Sequence, residues 1–281
     1  MSLMARQLRV SRSGYYAWQK RPESSRSREG RRLMLEIRAI HEESRRSYGS
    51  PRVYAELGMR GYQVGRKRVA LLMRKAEIQA RRKRRFRKTT DSNHRFPVAA
   101  NALARDFAAP APNHKWVADI TYVWTREGWL YLAVILDLFS RYVVGWATDS
   151  HIDGELARKA LRMALAGRSV APGLLHHSDR GVQYACDRYQ SDLLSHRISC
   201  SMSRKGDCWD NAAAESFFGT LKSELINNAD YFTRSEASSD VFQYIAFYNR
   251  KRRHSSLNYL SPAEYEKLHY AKPDRLNEPV H

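Results

Sequence analysis

The segment from Lys115 to Asp149 constrains this chain most. It holds three runs, KWVADITYVWT, GWLYLAVILDLF and RYVVGWATD, each rich in Val, Ile, Tyr and Trp and separated by Gly or charged residues. Such runs predict strands, and three in succession predict an antiparallel meander. A helix then follows over 152–167, with Leu156, Ala160, Met163 and Leu165 as its apolar positions. LLHHSD reads as a short buried strand, Gln183–His196 as a helix and ISCSMS as a fifth strand. The next helix starts near Asn211, where Asp210 or Asn211 can cap its free amides.

Strand, strand, strand, helix, strand, helix, strand, helix is the order of an α/β, RNase H-like fold, a mixed sheet flanked by helices. The amino-terminal half has a different texture. Leu33, Ile37 and Ile40 recur at helical spacing between about Arg28 and Ser47; Val53, Leu57 and Met59 precede a break at Gly61. A third helix over Gly65–Ala76 presents Val69, Leu72, Met73 and Ala76 on one face and Arg66, Lys67, Arg68, Arg74 and Lys75 on the rest. This small all-α part reads either as a helix-turn-helix-like module with a groove-reading basic helix, or as a bundle with a solvated basic face. Ser11–Arg21 is either another short DNA-contacting helix or an aromatic anchor packing Tyr15, Tyr16 and Trp18 on the bundle. The expected organisation is a basic helical region over 1–80, a basic linker over 81–112, and a catalytic core with a carboxyl-terminal helical extension over 113–281.

Charge separates the halves. The first 110 residues carry 28 basic and 9 acidic side chains, the remaining 171 carry 21 and 20. An excess confined to one half points to a polyanion, with nucleic acid as the leading candidate. RRKRRFRK, residues 81–88, places seven positive charges in eight positions; Arg81, Arg82, Lys83, Arg84 and Arg85 can track a phosphate backbone without reading sequence, or simply be solvated. No run reaches the ~20 apolar residues needed to span a bilayer, and MSLMARQLRV lacks a signal-peptide core, so a cytoplasmic, membrane-free protein is expected. Cys186, Cys200 and Cys208 match neither a zinc knuckle nor a redox pair and are expected to be reduced thiols.

Few carboxylates in the second half lie in apolar sequence. Asp119 sits mid-strand, where burial would be costly without a cation or donors. Asp179 ends LLHHSD at the edge where sheets place sites. Glu215 stands beside Ala212, Ala213 and Ala214, which allow its helix close to the sheet. Singly, each reads as easily as an edge-strand residue, a helix cap or a surface glutamate. Oxygen-only ligands suit Mg²⁺ or Mn²⁺, and two such ions about 4 Å apart can serve phosphodiester displacement.

WVADITYV, HHSDRGVQY, DNAAAESFFGTLKSE and YNRKRRHSSLNYLSPAEY, with YGSPRVYAEL and GRKRVALLM further upstream, resemble the signature blocks of OrfB-type transposases of the insertion-sequence family numbered three, whose core is similar to retroviral integrase. The resemblance implies a DDE triad falling on Asp119, Asp179 and Glu215, the first bridging two Mg²⁺ or Mn²⁺ ions. It also implies strand cleavage by water, followed by attack of the freed 3′ hydroxyl on another phosphodiester. Lys222, two turns beyond Glu215, matches a position that contacts donor DNA in similar enzymes. Further DNA contacts are expected at Arg66, Lys67, Arg68, Arg204, Lys205, Arg252 and Arg253. For Asn249, Arg250, Arg252, Arg253 and His254, clamping DNA and stabilising the end of the core both stand open. Gly181 is expected to permit a tight turn, Gln183 and Tyr184 to shape the site, and His176 and His177 to pack in the core or position a water or phosphate. No structural zinc is expected. The implied partners are element ends and target DNA, a homo-oligomer on DNA, and an upstream-frame protein or fusion carrying a helix-turn-helix and zipper.

Overall fold

A computed structural model describes residues 2–80, 97–204 and 208–271. Two compact units emerge, Met1–Ser44 with Tyr48–Gln79, and Ala80–His281 with Arg45–Ser47. The first is helical, with α1 (Ser2–Gln7), α2 (Arg12–Lys20), α3 (Ser25–Glu43), α4 (Ser50–Met59) and α5 (Arg66–Lys75). α3 is capped by the Ser24 hydroxyl, which accepts from the Ser27 N–H at 3.2 Å. It ends earlier than its pattern suggests, because Arg45 and Arg46 adopt left-handed backbone (φ 55° and 59°). Leu33, Ile37 and Ile40 of α3 pack with Val53 and Leu57 of α4 and Val69, Leu72 and Met73 of α5, all buried. Arg66, Lys67, Arg74 and Lys75 stay on the outside. α2 buries nothing, and Trp18 is 67% exposed, so it is no aromatic anchor.

The second unit is built on one sheet: β1 (Lys115–Thr125), β2 (Gly128–Asp137), β3 (Val143–Asp149), β4 (Leu175–Ser178) and β5 (Ser199–Met202), in the order β3-β2-β1-β4-β5. The first three strands are antiparallel, and β4 and β5 run parallel to β1. Helices cover both faces, so the runs are apolar on both sides. Trp116 and Ala118 join the core beneath α6 (Gly154–Gly167), α7 (Val182–Ala185) and α8 (Asp187–Ser195). Val117, Leu132 and Val134 join the opposite core beneath α9 (Ala212–Glu224) and α10 (Arg234–Arg250); α11 (Pro262–Ala271) follows.

α6 sits so close to β3 that a Cβ on Gly145 would strike the Ala160 carbonyl oxygen. Its buried face is Leu156, Ala157, Ala160, Leu161 and Ala164, whereas Met163, expected among them, is 44% exposed. The helix expected over Gln183–His196 is two helices, because Cys186 takes an extended conformation (φ −67°, ψ 145°) between them. Cys186 and Cys200 are free thiols. Among the described residues no helix is long and apolar enough to cross a membrane.

Candidate active site

Strand register brings the first two acids together. Parallel pairing aligns Trp116 with His176 and Val117 with His177. Asp179 lies two residues past the last of these pairs, just beyond the end of β4, as Asp119 lies two residues past Val117, and the Asp179 charge acts on Asp119. Asp119 and Val117 share a sheet face by the two-residue repeat, and that face is the one α9 covers through Ala214, Phe217, Phe218 and Leu221. Glu215 follows buried Ala214 in the first turn of α9 and is itself exposed, at the end where the helix dipole favours negative charge.

The electrostatics agree with that geometry. The Asp119 carboxyl is pushed well above the usual carboxylate range, first by burial and then by the charge of Asp179, with Glu215 adding to the push. The Ile120 N–H, donating to Asp119 Oδ1 at 2.8 Å, and the Lys222 ammonium pull the other way. Asp179 Oδ1 accepts from the Gly181 N–H at 2.9 Å. Gly181 has ordinary backbone (φ −62°, ψ 145°), so the expected tight turn is not why glycine stands there. A Cβ there would lie 2.9 Å from Asp179 Oδ1 and 2.7 Å from Gln183 Oε1, so those side-chain ends would have to shift to admit one.

Among the described residues, two buried oxygens beside these acids find no hydrogen-bond partner, the Tyr184 hydroxyl and Asn211 Oδ1. Burial, reinforced by the charges of Tyr189, Asp119 and Asp179, holds the Tyr184 phenol protonated far above its ordinary range. The side-chain amide of Asn211 donates to the Ala118 carbonyl at 3.2 Å. Lys222 places its ammonium 4.9 Å over the Tyr122 ring; burial lowers its pKa, against the pull of Tyr122 and Asp119. Among the described residues, no three His, Cys, Asp or Glu side chains are packed tightly enough to hold a metal ion as the chain stands. Asp179 and Glu215 both act on Asp119, and an oxygen-only donor set of this kind suits a hard divalent cation.

Other expected site residues divide sharply. Arg252 is buried and forms a bidentate pair with Glu224, at 2.8 and 2.6 Å. Arg253 is also buried and donates to Glu264 at 2.6 Å. Both were expected to contact DNA, and their places are inside the fold. Asn249 likewise serves the core, bonding Val143 N–H and C=O at 2.9 and 3.0 Å. Arg204 is half exposed and paired with Asp210 at 2.9 Å. Arg68 pairs with Glu29 at 2.9 Å, Arg66 lies 5.2 Å over the Tyr54 ring, and Lys67 is exposed. Arg81, Arg82, Lys83, Arg84, Arg85 and Lys205 lie outside the described residues.

His176 and His177 are fully buried structural groups. His176 Nε2 meets the Tyr189 hydroxyl at 3.0 Å, and His177 bridges Ser201 and Ser203 at 2.8 and 3.1 Å. Neither Asp210 nor Asn211 caps α9 through its side chain. Asp210 instead gathers the Asn101 amide, the Arg105 and Arg204 guanidiniums and the Arg204 N–H, at 2.8–3.1 Å. Its partners lie more than a hundred residues upstream as well as next door, which no local pattern reveals.

The mixed sheet flanked by helices is an integrase-type core, and comparison with known proteins places it. An integrase core domain model matches residues 109–208, a second integrase core model 196–262, and an HTH-like domain model 28–86. The chain is 48% identical to the insertion element IS600 uncharacterized 31 kDa protein of Shigella sonnei, over 92% of this chain and 96% of that protein. It is 42% identical to the transposase InsF for insertion sequence IS3A of Escherichia coli (strain K12), over 95% and 94%. The simian T-cell lymphotropic virus intasome, solved in complex with PP2A regulatory subunit B56 gamma, contains a similarly folded chain. Its TM-score is 0.51 at 17% identity, covering 81% of this chain and 73% of that one. The chain belongs to the transposases of the IS3 insertion-sequence family.

Proposed function

We propose that Asp119, Asp179 and Glu215 form the acidic triad with which this transposase cuts and joins DNA at the ends of its insertion sequence. The observation that carries the assignment is the Asp119 carboxyl, whose proton affinity is raised first by burial and then by the charges of Asp179 and Glu215, two acids that lie far away in sequence. A cation between them would relieve that repulsion, and the unpartnered Tyr184 hydroxyl and Asn211 Oδ1 supply polar oxygens to its surroundings. The residues fit Mg²⁺ or Mn²⁺, held by Asp119, Asp179 and Glu215. Such ions neutralise charge at the attacking and leaving oxygens of a phosphodiester.

The chain's own residues do the rest. The Ile120 N–H orients the first carboxylate and the Gly181 N–H the second. The N-terminus of α9 presents the third, and Lys222 supplies positive charge on the DNA strand's approach. Residues 1–80 serve as an end-binding module, with Arg66, Lys67 and Arg68 on α5 nearest the phosphates, and residues 81–112 as the linker to the core over 113–281. Several copies assemble on paired ends, in the cytoplasm, with or without an upstream-frame partner supplying further DNA-binding helices.

The test is a labelled duplex carrying the element's end, incubated with Mg²⁺ or Mn²⁺. Wild-type protein cuts and joins it. Asp119→Asn, Asp179→Asn and Glu215→Gln each lose at least about 10²-fold in rate while still binding the duplex. Full activity in any one of the three removes that residue from the triad.

A further inference from the structure

Beyond the acids, β1 runs on past the end of β4, which pairs only with Lys115–Val117. Three large aromatic side chains crowd that outer part of the β1–β2 hairpin. Trp124 and Trp129 stand opposite each other in register with ring centroids 4.8 Å apart, and Tyr122 meets Trp129 diagonally at 5.0 Å. Both contacts are edge-to-face. Tyr122 is 37% exposed, Trp124 58% and Trp129 43%. Folding gains little from indoles left in water, so a contiguous exposed patch of this size marks a binding surface.

We propose that Tyr122, Trp124 and Trp129 form a stacking shelf for unpaired nucleobases at the end of the processed DNA strand. Two observations select a nucleic acid as the occupant. The shelf is continuous with the acidic site through Lys222, whose ammonium lies over the Tyr122 ring and acts on Asp119. A cation at the rim of an aromatic surface matches a ligand made of flat bases strung on phosphates. Distance is the second. At ~3.3 Å per strand residue, Tyr122 lies about 10 Å and Trp124 about 17 Å along β1 from Asp119. That spans roughly three to five stacked nucleotides. The two-residue repeat puts Tyr122 and Trp124 on the sheet face opposite Asp119, so a strand whose phosphate reaches the carboxylates brings its terminal bases to the shelf by passing round the edge of β1 beyond the β4 pairing, where Lys222 meets Tyr122, once those bases have left the duplex. Stacking accepts any base, so the shelf holds frayed ends without reading sequence.

The inference rests on the strand-cutting reading of the acidic site, and its test is kept apart from cutting. Binding is measured in EDTA with two hairpin duplexes, one blunt and one with a 3′ tail of about four thymidines. Wild-type protein binds the tailed duplex about tenfold or more tighter, and its indole emission is quenched on binding. Trp124→Ala weakens binding of the tailed duplex by roughly 5- to 100-fold and leaves blunt-duplex affinity within about twofold. Trp124→Phe keeps most of the affinity and loses part of the quench. Tyr122→Phe, which keeps the ring, behaves as wild type and Tyr122→Ala does not. If Trp129→Ala fails to fold, Trp124→Ala, at the most exposed ring, decides alone.

An unchanged tail preference in folded Trp124→Ala overturns the shelf. So does a concentration-dependent self-association, without DNA, that Trp124→Ala abolishes while both duplexes bind alike, since the patch is then an interface between copies. Because nothing is cut in EDTA, a failed triad leaves the binding result standing, and a failed shelf leaves the triad standing.

Discussion

Asn211 fastens the start of α9 to β1: its side-chain amide donates to the Ala118 carbonyl, 3.2 Å away, one residue before Asp119. Glu215 stands a single turn further along the same helix. One buried hydrogen bond thus limits how far the third carboxylate can drift from the first two, and Asn211 is a positioning residue although it makes no capping bond.

Asn211→Ala removes this tie from a buried position, and the unfolding free energy is expected to fall by about 1–3 kcal/mol. Metal-dependent cleavage is expected to fall further than that loss explains, at temperatures where the variant remains folded. Urea unfolding and single-turnover cleavage, run side by side, separate the two effects. Wild-type cleavage by folded Asn211→Ala would show that Glu215 is held in place by something else.

The raised pKa of Asp119 gives a second prediction. A carboxyl with higher proton affinity in the folded chain than in the unfolded one binds more protons when folded. Stability therefore falls as pH rises from the ordinary carboxylate range toward the folded value. At neutral pH and in EDTA, Asp119→Asn should melt above the wild type, because it removes a buried charge facing Asp179. Mg²⁺ or Mn²⁺ should raise the wild-type melting temperature and leave that of Asp119→Asn nearly unchanged. A melting temperature lowered by Asp119→Asn in EDTA contradicts the like-charge picture.

Strands and their order could be read from the chain because Val, Ile, Tyr and Trp cluster in β1 to β3 and the turns between them are short. The acids were legible through their apolar neighbours and their sequence blocks. What stayed hidden depends on long-range contacts. Arg252 looks like a DNA contact in YNRKRRH until Glu224 is seen to face it, and Asp210 looks like a cap until Asn101 and Arg105 arrive from the linker. The break at Cys186 has no Pro or Gly to announce it. The exposed aromatic cluster was hidden for a related reason: Tyr122, Trp124 and Trp129 have the composition of core residues, and their exposure shows only in the folded chain.

His176 and His177 make the fold acid-sensitive above the range where carboxylates titrate. Burial, followed by the neighbouring His177, lowers His176 to about 3. Burial lowers His177 to about 4, against the pull of Asp210. Unfolded histidine takes up its proton near 6.5, so the contribution of both is complete above that value and is lost as pH falls toward 4 and then 3. Unfolding free energy measured in urea should therefore drop between about pH 6.5 and 4.5, and His177→Asn should reduce the slope by up to about one proton. An unchanged slope in that variant would assign the acid sensitivity to other groups.

Arg252 tests whether the basic block after α10 serves stability or DNA. Its guanidinium is buried, bound at two nitrogens by Glu224, whose carboxylate also accepts from the Tyr244 hydroxyl at 2.9 Å. Arg252→Ala leaves a carboxylate buried without its cation, and a loss of about 3–5 kcal/mol is expected. Arg252→Lys keeps the charge but not the planar fork, and should recover only part of it. Arg250, two residues earlier and exposed, should tolerate alanine within about 0.5 kcal/mol. Chemical denaturation of the three variants gives the ordering, and duplex binding gives the contrast: folded Arg252→Lys should bind DNA as tightly as wild type. A fully stable Arg252→Ala with weakened DNA affinity would return this residue to the nucleic-acid surface.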